Sequence, residues 1–370
     1  MKKVLLLLAA VFLALGTAGG VYGAQETGLR QTIDSNLKGA MAYVMGQAPS
    51  PGIASVGGEW ILIGASRSQQ GLSQAYGQAY LKAARETMQR QEGVLSERKY
   101  TEYARAALGM MALSQDPENV GGYSLLEPLL DFDKTVYQGA NGAAYALLAL
   151  QKAEGEEYVR ASERYVSYLL DAQLADGGFS LSQSEGDPDV TAMALQALAL
   201  YKDRPEVKQG IERGLSFLSQ AQNEGGGYTA WGDTGSSESV SQVIIALCQL
   251  GVDPADPRFV KEKGGLLENL LSYRTAEGGF RHLESQQTAD LMASEQALCA
   301  LTAYQRFLEG KSGLLDFSRD EGKEGPEKEE KAQQEEEKES QRGGALTEEG
   351  LKKAVLTAVS RGLFVALERI

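Results

Sequence analysis

Residues 213–228 read Arg213-Gly214-Leu215-Ser216-Phe217-Leu218-Ser219-Gln220-Ala221-Gln222-Asn223-Glu224-Gly225-Gly226-Gly227-Tyr228. An amphipathic helix runs to about Ala221, a glycine run then forces a sharp turn, and an aromatic residue follows. The same ending recurs as Gly121-Gly122-Tyr123, Gly177-Gly178-Phe179 and Gly278-Gly279-Phe280. Steps between the four aromatic residues are 56, 49 and 52, and self-similarity at such a period marks a repeat architecture. After each signal come a short polar loop and a helix rich in Ala and Leu. Placing Ala149-Leu150, Ala197-Leu198, Ala246-Leu247 and Ala300-Leu301 in one column aligns these helices.

Helices before the signals differ: 156–173, 204–221 and 257–273 each carry a charged face. A helix that is apolar nearly all round must be enclosed, whereas one with a charged face covers an outside. The pattern therefore predicts inner helices near 59–66, 101–113, 139–150, 189–200, 238–250 and 291–305. An outer partner precedes each, near 31–46, 71–90, 124–132, 156–173, 204–221 and 257–273. Six pairs can close a ring, and closure removes the need for capping repeats. The expected fold is all-α, an α6/α6 toroid over residues 27–310. Its first hairpins are the least regular, because residues 47–58 are rich in Gly, Pro and Ser.

The two ends read differently. Lys2 and Lys3, an apolar run from Val4 to Leu15 and a small-residue exit at Gly23-Ala24 are the pattern of a secretory leader over residues 1–24. The expected location is therefore secreted or at the cell surface. No later segment is long and apolar enough to span a membrane. Residues 320–340 hold ten acids and four lysines, so a disordered acidic linker is expected over 318–344. An amphipathic helix is expected over 345–370, where residues 353–364 resemble the opening helix of an S-layer homology domain. Fifty acids against thirty-six bases argue against nucleic acid as a partner. Cys248 and Cys299 sit in apolar helical runs and read as small buried residues, with a single bridge as the alternative.

The repeat carries more than glycines. Arg213-Gly214, Phe217-Leu218, Gln222, Gly226 and Tyr228 stand at the spacing of the QW repeat of squalene and terpene cyclases, with Tyr in place of Trp. The preceding copy has Arg164, Tyr168-Leu169, Gln173, Gly177 and Phe179, and the last has Arg274 in place of Gln. The chain thus resembles the prenyltransferase/squalene-cyclase repeat superfamily, which implies an α6/α6 toroid. That superfamily includes class II terpene cyclases, protein prenyltransferase β-subunits, complement-type thioester domains and the helical domain of cobalamin carriers. A prenyltransferase-type zinc site needs Asp, Cys and His; this chain has one histidine, His282, with no Asp-x-Cys near either cysteine, so no metal is expected. His282 reads as a loop residue. Glu295-Gln296 lack the Cys of a thioester motif.

Class II cyclases protonate an alkene with Asp-x-Asp-Asp. Here Asp187-Pro188-Asp189-Val190 falls at that place, which would make Asp189 the acid, but Val190 replaces the last Asp. The other reading is that Asp187 caps the helix, Pro188 opens it and Asp189 lies in the first turn, favoured by the dipole. In the aligned helices Asn141, Asp189, Glu238 and Met292 are equivalent, and so, one turn on, are Tyr145, Met193, Gln242 and Gln296. Polar groups at the starts of parallel inner helices would gather at one mouth: Gln138, Asn141, Tyr145, Asp189, Thr191, Glu238, Gln242, Glu295 and Gln296. Arg67 would lie nearer the other end. An apolar site with a few convergent polar groups suits a small ligand. The leading expectation is a non-enzymatic binding protein, with no cofactor and with a corrinoid as candidate ligand through the cobalamin-carrier likeness. The alternatives are a class II terpenoid cyclase using Asp189, with Asp187 beside it, and a structural or adhesive cell-wall module.

Overall fold

The computed structural model describes residues 27–182, 184–229 and 235–318. The expected leader, nearly all of the linker and the last helix lie outside them. Helix α1 spans 27–47. It is followed by α2 (Glu59–Ser66), α3 (Gln74–Arg90), α4 (Thr101–Ala112), the single turn α5 (Phe132–Thr135) and α6 (Gly139–Ala149). Then come α7 (Glu156–Ala172), α8 (Pro188–Leu198), α9 (Pro205–Ala221), α10 (Ser237–Leu250), α11 (Leu266–Ser272) and α12 (Leu291–Leu308). The even-numbered helices form the inner layer. Each packs on the next, and α12 packs back on α2. The fold is an α6/α6 toroid.

The reason is the one the composition suggested. Along α10, every residue from Val240 to Gln249 is buried, whereas α7 and α9 bury one stripe and expose the rest. The outer layer departs from expectation in pairing and regularity. Helix α7 covers α6, α9 covers α8 and α11 covers α10, so each lies over the inner helix before it, not the one after. Helix α1 completes this layer over α12: Tyr43 Oη donates to Ala289 O at 3.2 Å, Gln305 donates to Asp34 at 2.7 Å, and Arg30 donates to Leu308 O. The helix expected at 124–132 is instead a 3-10 turn, Glu127–Leu130, and the short α5. Asp131 caps the second of these and ends the first. The helix expected at 257–273 is likewise broken. Pro257 opens a 3-10 turn, β1 (Val260–Lys261) pairs antiparallel with β2 (Gly264–Gly265), and only then does α11 begin.

The glycine turns fasten neighbouring units to one another. Gly278 has φ of 92°, and a Cβ there would stand 2.8 Å from the Gly39 carbonyl oxygen of α1. Ring closure thus runs through a backbone contact that only glycine permits. Gln173 donates to Gly177 O and Gly210 O, both at 2.8 Å, and Gln222 does the same to Gly226 O and Phe259 O at 2.9 Å. Each repeat glutamine therefore ties its own turn to the next outer segment. The aromatic residues Phe179, Tyr228 and Phe280 are fully buried. Gly278→Ala is expected to cost about 3 kcal/mol, from left-handed strain and the lost approach, seen as a lower midpoint in thermal unfolding. An unchanged midpoint would mean that α1 does not close the ring here.

The packed chain runs on past residue 310. Leu314, Leu315 and Phe317 are buried, and their segment lies across the end of the ring where the inner helices finish. Arg67, just after α2, donates to Ser312 Oγ, Gly313 O and Asp316 O at 3.1 Å and stacks 4.4 Å over the Phe317 ring. Gln151, after α6, donates to Leu315 O and accepts from Phe317 N, while Gln249 of α10 accepts from Leu315 N. Partners at the ends of α2, α6 and α10 lie around the circumference, so residues 311–318 plug this mouth.

Candidate active site at the open mouth

The opposite mouth is where the inner helices begin. Asp187, Ser236 and Asp290 cap α8, α10 and α12 through side-chain oxygens. Asp187 Oδ1 accepts from Asp189 N at 2.8 Å and Val190 N at 3.0 Å, which is the capping arrangement the sequence offered. Thr191 is fully buried and turned to the preceding turn, where its hydroxyl accepts from Phe179 N at 2.8 Å. It positions that turn; Ser294 does the same for Phe280 N at 2.8 Å.

Asp189 behaves differently from its neighbour. Its Oδ1 is buried without a hydrogen-bond partner. Burial pushes the carboxyl up to about 6; the Ser239 hydroxyl opposes that rise, the Asp187 and Glu238 charges add to it, and His282 opposes it. A buried oxygen with no donor cannot hold full negative charge cheaply, so the acid form persists towards neutral pH. Asn141, at the equivalent position of α6, also has a buried, unpartnered Oδ1. Val190, where a further acid would stand, is buried among apolar side chains.

Beyond Asp189 the polar residues divide into four groups. Glu238 is bonded to His282, whose Nδ1 lies 2.8 and 2.9 Å from its two carboxylate oxygens. Below it runs a buried amide ladder across three inner helices. Gln196 donates to Gln242 Oε1 at 2.8 Å, and Gln242 donates to Gln296 Oε1 at 2.6 Å. In the seam between α12 and α2, Glu295 Oε2 accepts from Gly57 N at 2.8 Å, and burial pushes its carboxyl up to about 7. Beside it Glu59, fully buried, accepts from Tyr80 Oη at 2.8 Å, from Ala54 N at 2.7 Å and from Arg105 Nε at 2.9 Å. Fourth, Gln138 spans the α6–α4 seam, exchanging hydrogen bonds with Thr101 N and Oγ1 at 3.1 Å.

The nine expected residues thus do not share one chamber. Asp189, Asn141 and Tyr145 go together, the last sensing the charges of both Arg105 and Asp189. Gln242 and Gln296 join through the ladder, and Glu238 sits next to Asp189. Gln138, Thr191 and Glu295 are spent on seams and turns. Sequence reading missed Glu59, Arg105, Trp60, Gln196, Ser239 and the role of His282. Trp60 packs against Tyr145 with ring centroids 5.9 Å apart. The legible signal was Glu59, a lone acid opening the apolar stretch Trp60-Ile61-Leu62-Ile63. Cys248 and Cys299 are both free and buried.

Large apolar side chains are also exposed around this mouth. Val56, Val94, Tyr137 and Leu181 precede α2, α4, α6 and α8, and Met292 lies in the first turn of α12; each is about half exposed or more. No helix among the described residues is long and apolar enough to cross a membrane, and these residues hold no cluster of metal-ligating side chains.

No family model matches the chain. It is 30% identical over 169 residues to drimenyl diphosphate synthase of Streptomyces showdoensis, a stretch covering 41% of this chain and 31% of that protein. The chain therefore spans about a third of the curated relative it matches. Among solved structures it is similar to the unsaturated glucuronyl hydrolase of Bacillus sp. GL1, an enzyme of glycosaminoglycan degradation, with a TM-score of 0.54 at 13% identity. That match covers 79% of this chain and 100% of the hydrolase, and at such identity it speaks for the fold. Both proteins are enzymes. The expected non-enzymatic binding role, with a corrinoid as its ligand, is overturned by the synthase similarity, which points to catalysis. The expectation had weighed the loss of one acid at Val190 against catalysis; the carboxyl of Asp189 is raised without that acid.

Proposed function

We propose that the protein is a protonation-initiated isoprenoid cyclase with Asp189 as its general acid. The observation that carries this reading is the buried, unpartnered Oδ1 of a carboxyl raised to about 6. A proton on that oxygen has no protein acceptor, so it is available to an alkene lying against it. The proton passes from the carboxyl to the less substituted carbon of a terminal trisubstituted double bond, leaving a tertiary cation and the Asp189 carboxylate. Internal double bonds then attack in turn. Loss of one proton from carbon beside the last cation gives a cyclic isomer, and Asp189 regains its proton from solvent. The paired Trp60 and Tyr145 rings would be the aromatic groups to stabilise the cation, and the apolar rim suits an oily chain. With the leader read from residues 1–24, this activity would lie outside the cytoplasm.

Incubating the protein with squalene, farnesol and farnesyl diphosphate in deuterium oxide tests the reading by gas chromatography and mass spectrometry. The expected result is a cyclic product carrying one added deuterium. Recovery of every substrate unchanged, or a product without deuterium, would rule out protonation by this site.

A further inference from the structure

Three glutamines that the proton step does not use line the ring from within. Past its opening proline, α8 leaves only Asp189 and Met193 incompletely buried, and Gln196 follows them on the same face. On α10 the matching stripe is Glu238, Gln242, Ile245 and Gln249, running from the open mouth to Leu315 of the plug. Gln196, Gln242 and Gln296 are 1%, 4% and 7% exposed. A ladder of side-chain amides can run in either direction, but here a backbone carbonyl fixes its sense. Gln196 Nε2 donates to Gln242 O at 3.1 Å as well as to Gln242 Oε1 at 2.8 Å. The backbone oxygen only accepts, so turning the Gln196 amide over would set oxygen against oxygen. Gln242 Nε2 is then the group left for Gln296 Oε1. The three dipoles therefore align, with Gln296 Nε2 as the positive end and Gln196 Oε1 as the negative end. No described residue donates to Gln196 Oε1.

We propose that Gln196 Oε1 is the cation-holding group of the ring, stabilising the carbocation after it has moved away from Asp189. This rests on the cyclase reading and extends it past the proton transfer. Gln196 stands seven residues beyond Asp189, roughly 10 Å deeper along the helix axis. Helical side chains lean towards the helix start, so the amide reaches back and the gap to the acid is shorter than that. The first cation lies against Asp189. Each ring closure then moves the charge about one isoprene unit down the chain, towards the amide oxygen. A dipole already oriented by its hydrogen bonds needs no reorganisation as the charge arrives, and neighbouring amides polarise it further. The oxygen forms no bond to carbon, and the charge passes on when the next double bond attacks. Trp60 and Tyr145 belong to α2 and α6, so the rings and the amide meet the cation from different walls.

Calorimetric titration of the full chain with two tertiary-ammonium analogues of farnesol tests this. One carries its nitrogen at the carbon that becomes the first cation, and the other carries it one isoprene unit further on. Gln196→Met keeps the length of the side chain and removes the dipole. It should weaken the second analogue at least about tenfold and leave the first nearly unchanged. Equal weakening of both would mark a packing defect and overturn the proposal, as would no weakening of the second. Gln242→Met leaves the oxygen in place but unlocks it, and serves if Gln196→Met does not fold. There the second analogue alone should weaken, by about threefold; no change would again overturn the proposal. Turnover in deuterium oxide separates this reading from the acid role. Gln196→Met should still add one deuterium but release products with fewer rings, and an unchanged ring count would count against Gln196. A wild type that cyclises nothing yet shows the positional preference would keep the cation site and remove the acid role. Cyclisation without that preference would do the reverse.

Discussion

A chain ended after Gly310 is expected to lose about 4 kcal/mol of unfolding free energy, whereas one ended after Ser318 loses none. The gross terms are comparable. Burial of Leu314, Leu315 and Phe317, at 0%, 1% and 2% exposure, contributes about 7 kcal/mol. The hydrogen bonds to Arg67, Gln151, Gln249 and Arg306, the last donating to Ser312 O at 2.9 Å and Ser312 Oγ at 2.8 Å, add about 6 kcal/mol net. Ordering the eight residues of the segment costs roughly 9 kcal/mol. The difference is small beside its parts but large beside a typical domain stability. Denaturant unfolding of the two truncations measures it directly. Equal midpoints would show that the segment adds nothing to the fold. The same reasoning limits point variants: Phe317→Ala can cost no more than the segment's net contribution, because beyond that the plug simply releases.

The toroid was legible because its determinants are local and repeated. A turn glycine at φ of 89°, 82° or 92° leaves a fixed mark in sequence, and so does the change from charged to apolar helices. Irregular outer segments were not legible: Pro128 and Pro257 sit inside stretches whose apolar spacing still reads as helix. The plug was missed because it is eight residues without a period, and its meaning lies in distant partners such as Gln151 and Gln249. At the site, alignment brought out Asp189, Asn141, Glu238 and Gln242, since each occupies an equivalent position in a repeat. It could not tell an acid with a free oxygen from a cap, because Asp187 and Asp189 are two residues apart and differ only in what surrounds them. His282 was unreadable for a related reason. Its partner Glu238 is 44 residues away, and no spacing rule joins a loop to the start of another helix.

Asp189→Asn is expected to make the protein at once inactive and more stable. Cyclisation should fall by at least about a thousandfold, since positioned acids contribute up to four powers of ten and an amide cannot donate the proton. In the wild type the rate should fall about tenfold per pH unit above the carboxyl's value near 6, as the acid form is depleted. Stability follows the opposite logic. The folded carboxyl is raised to about 6 from its ordinary 3.8, so the folded state holds the proton more tightly than the unfolded chain. Below pH 3.8 both states are protonated and nothing is lost. Between 4 and 6 the unfolded chain ionises first, and above 6 the native state carries the whole cost, about 3 kcal/mol at most. An amide carries no such cost. The variant should therefore match the wild type in denaturant unfolding near pH 4 and exceed it by up to about 3 kcal/mol at pH 8. A variant that is destabilised at both pH values would mean that Asp189 is a structural carboxylate like Asp187. A variant that gains stability yet keeps its activity would move the acid to another residue. The joint outcome, lost turnover with stability gained only above pH 6, is what a catalytic acid with one buried, unpartnered oxygen must give.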